Sequence, residues 1–123
     1  MSNKRRITTP GLTHHVMSRC IEKKPLMKAI NIKKLGYKAI NMAHKKYNYK
    51  LISFTLMDNH FHFIIETIEG EASISRIMQY IKARVAEMYN KIMNRTGPFW
   101  NERFKDVIIE MQTNPVYYFF WLI

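Results

Sequence analysis

The chain has a single cysteine, Cys20, among 123 residues. That excludes an intramolecular disulfide and any zinc cluster built on cysteines, and sets a reducing, cytoplasmic location as the expectation. Nothing beside Cys20 in the sequence would activate a thiol, so a small buried residue is its ordinary role. Long apolar runs are also lacking. The longest, residues 116–123, falls far short of the roughly 20 residues that span a bilayer, so no membrane partner is expected. The basic start, Met1 to Arg6, has no apolar stretch behind it of the kind that makes a secretory signal. Internal repeats and low-complexity tracts are absent. Acidic residues are few, 9 Asp and Glu against 20 Lys and Arg, which leaves a formal charge of +11. Such a surplus points to a polyanionic partner, nucleic acid ahead of a membrane surface; a basic surface kept for solubility is the plainer reading.

What is present suffices for one domain over residues 1–123, since 47% of the chain is hydrophobic and 13% aromatic. After the basic arm, Pro10-Gly11 marks a turn and Thr13 to Arg19 reads as a short strand. Residues 26–47, rich in Lys, Ala, Ile and Met, suit a helix, although Gly36 interrupts it. Residues 49–57 form a second strand with Ile52, Phe54 and Leu56 on one face. Asp58-Asn59 supplies turn chemistry before a third strand over 60–68. Ile74, Ile77, Met78, Ile81, Val85, Met88 and Ile92 then recur at helical spacing, with Ser73 as N-cap and Gly97-Pro98 as the stop. Arg76, Lys82, Arg84, Lys91 and Arg95 make the other side of that helix basic. Residues 104–110 alternate as a fourth strand. The order β-α-β-β-α-β predicts an α+β, ferredoxin-like split βαβ fold, with two helices on one face of an antiparallel sheet.

Two histidines fall one residue apart in the third strand. Residues i and i+2 of a strand share a face, so His60 and His62 present their imidazoles together while Phe61, Phe63 and Ile65 turn into the core. Two neutral imidazoles so placed can hold a divalent cation if a third ligand arrives from elsewhere; a solvated or hydrogen-bonded pair is the plainer alternative. His14 and His15 face opposite ways in a strand, and His44 lies on a helix, so they add little.

The stretch around the pair, "LMDNHFHFIIET", resembles the His-hydrophobic-His motif of the REP-associated tyrosine transposases, relatives of the small HUH-type insertion-sequence transposases with one catalytic tyrosine. "KRRITTPGLTHHVMSR" is similar to that family's opening, and "SRIMQYIKARVAEMYNKIMNRTGPFWNERFKD" to its second helix and the segment after it. The resemblance runs from about Lys4 to Ile109 with the motifs in family order. It implies DNA transposition through single-stranded or hairpin DNA. A tyrosine hydroxyl attacks a phosphodiester, leaving a 5′-phosphotyrosine and a free 3′-OH, with Mg²⁺ or Mn²⁺ assisting at the histidine pair. Carried over by position, His60 and His62 are the metal ligands.

The family pattern also sets a tyrosine on a helix after the last strand, four residues before an Asn or Gln that completes the metal site. In "MQTNPVYYFF" the residue four before Asn114 is Glu110, not tyrosine. The better alignment starts the helix at Tyr117 and places the nucleophile at or beyond Ile123, so the expectation is a chain shortened at its C-terminus. Tyr117 and Tyr118 are the candidate substitutes, with packing of an end helix as their plainer role. Tyr80 and Tyr89 are expected to be structural or to face DNA. For DNA contacts the candidates are Lys4, Arg5, Arg6, Arg19, Arg95, Trp100, Arg103 and Lys105, basic residues interleaved with aromatics as a single strand requires. Core packing is an equal reading for Trp100 and Phe104. Three functions stay open: a strand-transferring transposase, a non-enzymatic DNA-binding remnant and, last, an aromatic-platform RNA reader of the same fold. The oligomeric state, monomer or dimer, stays open as well.

Overall fold

Within the computed structural model, residues 11–101 and 103–109 are described. The elements run β1 (Thr13–Arg19), a 3-10 turn (Ile21–Lys23), α1 (Ile30–Lys46), β2 (Tyr49–Leu56), β3 (His60–Thr67), α2 (Ile74–Ile92) and β4 (Lys105–Ile109). Lys4, Arg5, Arg6, Tyr117 and Tyr118 lie outside the described residues, as does Glu110. The sheet order is β2-β3-β1-β4 with every neighbouring pair antiparallel. Each βαβ unit therefore skips one strand, which the other unit fills. This is the ferredoxin-like split arrangement expected from the element order.

Strand parity sorts the side chains. In the β1–β3 register Val16 pairs with Phe63 and Ser18 with Phe61, and this set faces the helices. Val16, Phe61, Phe63 and Ile65 form one core with Leu35, Ala39 and Ile40 of α1 and with Ile77, Met78 and Ile81 of α2. Each large side chain buried in this way contributes about 1.5–3 kcal/mol relative to exposure, so the paired helices commit the sheet to one covered face. The opposite face carries a smaller apolar contact, Ile64 with Ile109, and is otherwise polar around the histidines.

Local sequence explains how the helices sit. The Ser73 side chain accepts a hydrogen bond from the Arg76 N–H at 3.2 Å, capping α2 as expected. The helix ends at Ile92, ahead of Gly97-Pro98. Asn94, with φ 50°, and Gly97, with φ 106°, turn the chain in left-handed conformations. α1 begins at Ile30 rather than near residue 26, because Met27 is drawn aside: it is buried and its N–H donates to the Asp58 carbonyl at 2.8 Å. Gly36, which interrupts the helical pattern, has a packing cause. A Cβ there would lie 2.8 Å from Leu56 Cδ1, so glycine lets α1 close onto β2. A bulge between Leu51 and Ser53 makes Ile52 an extra residue in β2. Phe54 and Leu56 pair with Phe63 and Phe61, while Ile52 falls out of that alternation. The expected shared face of Ile52, Phe54 and Leu56 is corrected accordingly.

Candidate functional site

The face of the sheet away from the helices brings His60 and His62 of β3 beside β1, with Arg19 opposite His60 and Met17 opposite His62. Thr55 of β2 pairs with His62 on the other side, and Lys105 of β4 pairs with Met17. Both histidines are half-buried, with ring centroids 4.9 Å apart and rings nearly perpendicular.

The turn before β3 fixes one of them. Asn59 donates from Nδ2 to the Lys23 carbonyl at 3.1 Å, and a carbonyl can only accept. Its Oδ1 therefore faces His60 Nδ1, 2.8 Å away, and must accept the Nδ1–H. That places the lone pair of His60 on Nε2, the nitrogen aimed away from the backbone turn. The turn is itself tethered: Lys33 of α1 bonds Asp58 Oδ1 at 2.9 Å and the Met27 carbonyl at 2.9 Å. The Lys33 hydrogen bond also holds the Asp58 carboxyl below its ordinary range.

His62 is held from β1. His15 Nε2 lies 3.0 Å from His62 Nδ1, and the two rings stack with centroids 5.2 Å apart. His15 and His14 do face opposite ways. His14 is fully buried on the helix side, where its Nδ1 meets Asp106 Oδ1 at 2.8 Å, while His15 joins the histidine face. The parity follows from the strand alone, but His15 becomes a partner of His62 only through the pairing of β1 with β3. Its signal was present in the element order, because in a split βαβ fold the first and third strands are neighbours.

Burial and neighbouring charge keep the cluster neutral. His62 is lowered from 6.5 to about 4, by burial first and then by His15, His60 and Arg19. His60 is lowered by burial and then Arg19; His15 is lowered by burial, with Asp106 opposing. At neutral pH these imidazoles are donors ready for a metal rather than for a proton. Among the described residues no group of three or more His, Cys, Asp or Glu is arranged to hold a metal ion. The pair offers two nitrogens, and any further ligands come from outside this group. Two imidazoles with oxygen ligands suit Mn²⁺ better than the oxygen-seeking Mg²⁺.

Not every expected contact residue joins this face. Arg19, Arg103 and Lys105 do lie near it, and together line a small cleft. Arg95 instead braces the end of α2, donating to Asn90 Oδ1 at 2.7 Å and the Pro98 carbonyl at 2.9 Å, over the Tyr89 ring. Trp100 packs edge-on against Phe61 and Phe99 and donates from Nε1 to the Lys82 carbonyl at 2.9 Å. Phe104 is buried. Cys20 is buried as well, and burial pushes its thiol up to about 11, which suits a packing role. The tyrosines among the described residues, Tyr37, Tyr47, Tyr49, Tyr80 and Tyr89, belong to the helices, their caps or the helix-facing side of β2. None of them shares the histidine face. No described helix is long and apolar enough to cross a membrane.

Comparison with known proteins agrees with this architecture. The structure resembles that of a REP-associated tyrosine transposase bound to a REP hairpin, with a TM-score of 0.79 and 17% identity over 99% of this chain and 70% of that one. It also resembles a transposase candidate from Deinococcus radiodurans R1, with a TM-score of 0.57 and 11% identity over 98% and 95% of the two chains. At these identities the likeness establishes the fold. A search of curated proteins gives no match. The family model described as "Transposase IS200 like" matches residues 8–116, most of the chain and all of its described elements. By that match the chain belongs to the IS200-like transposase family.

Proposed function

We propose that the chain, as a single transposase domain, binds single-stranded or hairpin DNA across the open sheet face. In this reading His60 and His62 hold one divalent cation, Mn²⁺ or Mg²⁺, against a DNA phosphate. The observation that carries it is the tethering of both rings through Nδ1, by Asn59 and by His15. Ligation through Nε2 requires a proton on Nδ1. Asn59 enforces that on His60, and His15 can accept the Nδ1–H of His62. A bound cation there would polarise a phosphodiester and neutralise charge that develops on it. The chain's own residues supply orientation: Arg19 stands across from His60, and Lys105 of β4, with Arg103 ahead of it, extends the face. The solved relative bound to a REP hairpin supports hairpin DNA as the ligand class. A cytoplasmic site of action accompanies the reading.

Strand cleavage asks more of the chain than binding. The five described tyrosines lie off the histidine face, which leaves Tyr117 and Tyr118 as the candidates in this sequence for a phosphotyrosine. That same observation favours a second reading, a DNA-binding protein without cleavage. One experiment addresses both: hairpin oligonucleotides are incubated with the protein and Mn²⁺, then resolved under denaturing conditions, with affinity followed in parallel. Affinity that rises with Mn²⁺ and loses that response in His60→Ala supports the metal-holding reading. A covalent adduct removed by Tyr117→Phe or Tyr118→Phe identifies the nucleophile; tight binding without adduct supports the binder. Affinity indifferent to Mn²⁺ and to His60→Ala would contradict the role given to the histidines.

A further inference from the structure

Beside the histidines, at the Arg19 end of β1, a cleft of about 60 Å³ is lined by Met17, Ser18, Arg19, Lys23, Asn101, Arg103 and Lys105. Four of these seven residues are cations, and among the described residues no carboxylate lines the cleft. None of the four is in a salt bridge among the described residues, although other lysines and arginines are. Like charges brought together in this way repel, and an anion between them removes that cost. The size narrows the ligand. At about 60 Å³ the cleft is small, and a single tetrahedral anion suits it better than the broad, flat body of a base.

The backbone holds this cleft in fixed relation to the histidines. Glu22 and Lys23 adopt φ of 55° and 59°, left-handed values that ordinary residues keep only when their surroundings impose them. Here the Lys23 N–H donates to the Cys20 carbonyl at 3.0 Å, and the Lys23 carbonyl accepts from Asn59 Nδ2. On the other wall, the Asn101 N–H donates to the Arg19 carbonyl at 2.8 Å and the Ile21 N–H to the Phe99 carbonyl at 2.8 Å. Asn59 thus touches both the cleft wall and His60. Arg19 sits one strand spacing from His60, about 4.8 Å, and Lys105 two spacings from His62, so the cleft lies within a nucleotide or so of the pair.

We infer that this cleft is a subsite for a single backbone phosphate of the DNA strand, flanking the phosphate held at His60 and His62. The inference rests on the DNA-binding reading above and adds to it Lys23 and Asn101, which the sequence did not mark. The cleft takes its phosphate without reading a base, so it sets the position of the strand and not its sequence.

The test is the salt dependence of binding of a labelled hairpin oligonucleotide with a single-stranded flank. Wild type is compared with the triple variant Lys23→Gln/Arg103→Gln/Lys105→Gln. All three positions are exposed, and an unchanged melting temperature checks the fold. One shared phosphate predicts that the slope of log affinity against log salt falls by about 0.7, the single-strand value for one contact. A fall near 2, three contacts' worth, would show separate phosphates and overturn the subsite; so would no change. A scan of single methylphosphonate substitutions along the flank gives the second readout. One neutralised position should weaken wild-type binding and leave the variant unaffected, whereas equal losses in both proteins would overturn the proposal. Absence of oligonucleotide binding by wild type would instead defeat the DNA-binding reading itself, so the two failures are distinguishable.

Discussion

His60 and His62 differ from an ordinary pair of strand histidines in what holds their other nitrogens. Asn59 and His15 occupy the two Nδ1 atoms, at 2.8 and 3.0 Å. Outer partners of this kind govern ligand orientation and are worth about 10–100-fold in metal affinity. Asn59→Leu should therefore weaken Mn²⁺ binding by about that range, measured by calorimetry, while the helix content of the protein stays the same. Cys20 gives a simpler test at this scale. With its thiol pushed up to about 11 by burial, it should react with an alkylating reagent at neutral pH far more slowly in the native protein than in urea. Native labelling as fast as unfolded labelling would show that the residue is not packed. The shared face of the histidine pair was legible from spacing alone. The partners were not: Asn59 read as turn chemistry, and His15 becomes a neighbour only when β1 pairs with β3.

Elements, more than single residues, carried what could be read in advance. The α2 periodicity from Ile74 to Val85, its Ser73 cap and the strand parity of Phe61, Phe63 and Ile65 all follow from local pattern, and the structure keeps them; in the last turn Tyr89 is buried and Ile92, expected on the apolar stripe, is exposed. The departures are places where tertiary contact decides. Gly36 looks like a weakness in α1 because helix propensity counts only the helix, while the glycine serves the approach of α1 to Leu56. Gly36→Val should cost about 1–3 kcal/mol of stability through overpacking, read from urea denaturation. A stabilised Gly36→Val would mean that α1 does not sit close on β2. The bulge at Ile52 is likewise hidden, since it depends on β3, while the packing of Trp100 is one of its two open readings and only its partners need the fold. Trp100, for example, spends its N–H on Lys82, 18 residues earlier.

For the whole molecule, the two sheet faces divide the work. The helix-covered face holds the core, and the open face gathers three neutral imidazoles against Arg19 in a chain of net charge +11. The arrangement has a pH signature. His62 falls from 6.5 in the unfolded chain to about 4 when folded, so between those values the unfolded state binds the extra proton. Stability should be indifferent to this group above 6.5 and decline as pH falls towards 4. His15 and His60 act in the same direction, and Arg19 is the fixed positive charge beside them. The melting temperature of wild type should therefore drop more steeply between pH 6.5 and about 4 than that of His62→Leu. The most direct measurement of all is Mn²⁺ binding by paramagnetic resonance, with a hairpin oligonucleotide present, in wild type, His60→Ala and His62→Ala. One bound ion in wild type, with nitrogen coupling that is lost in both variants, is the predicted result. Bound Mn²⁺ without nitrogen coupling, or binding unchanged by either substitution, would contradict a metal held by the histidine pair.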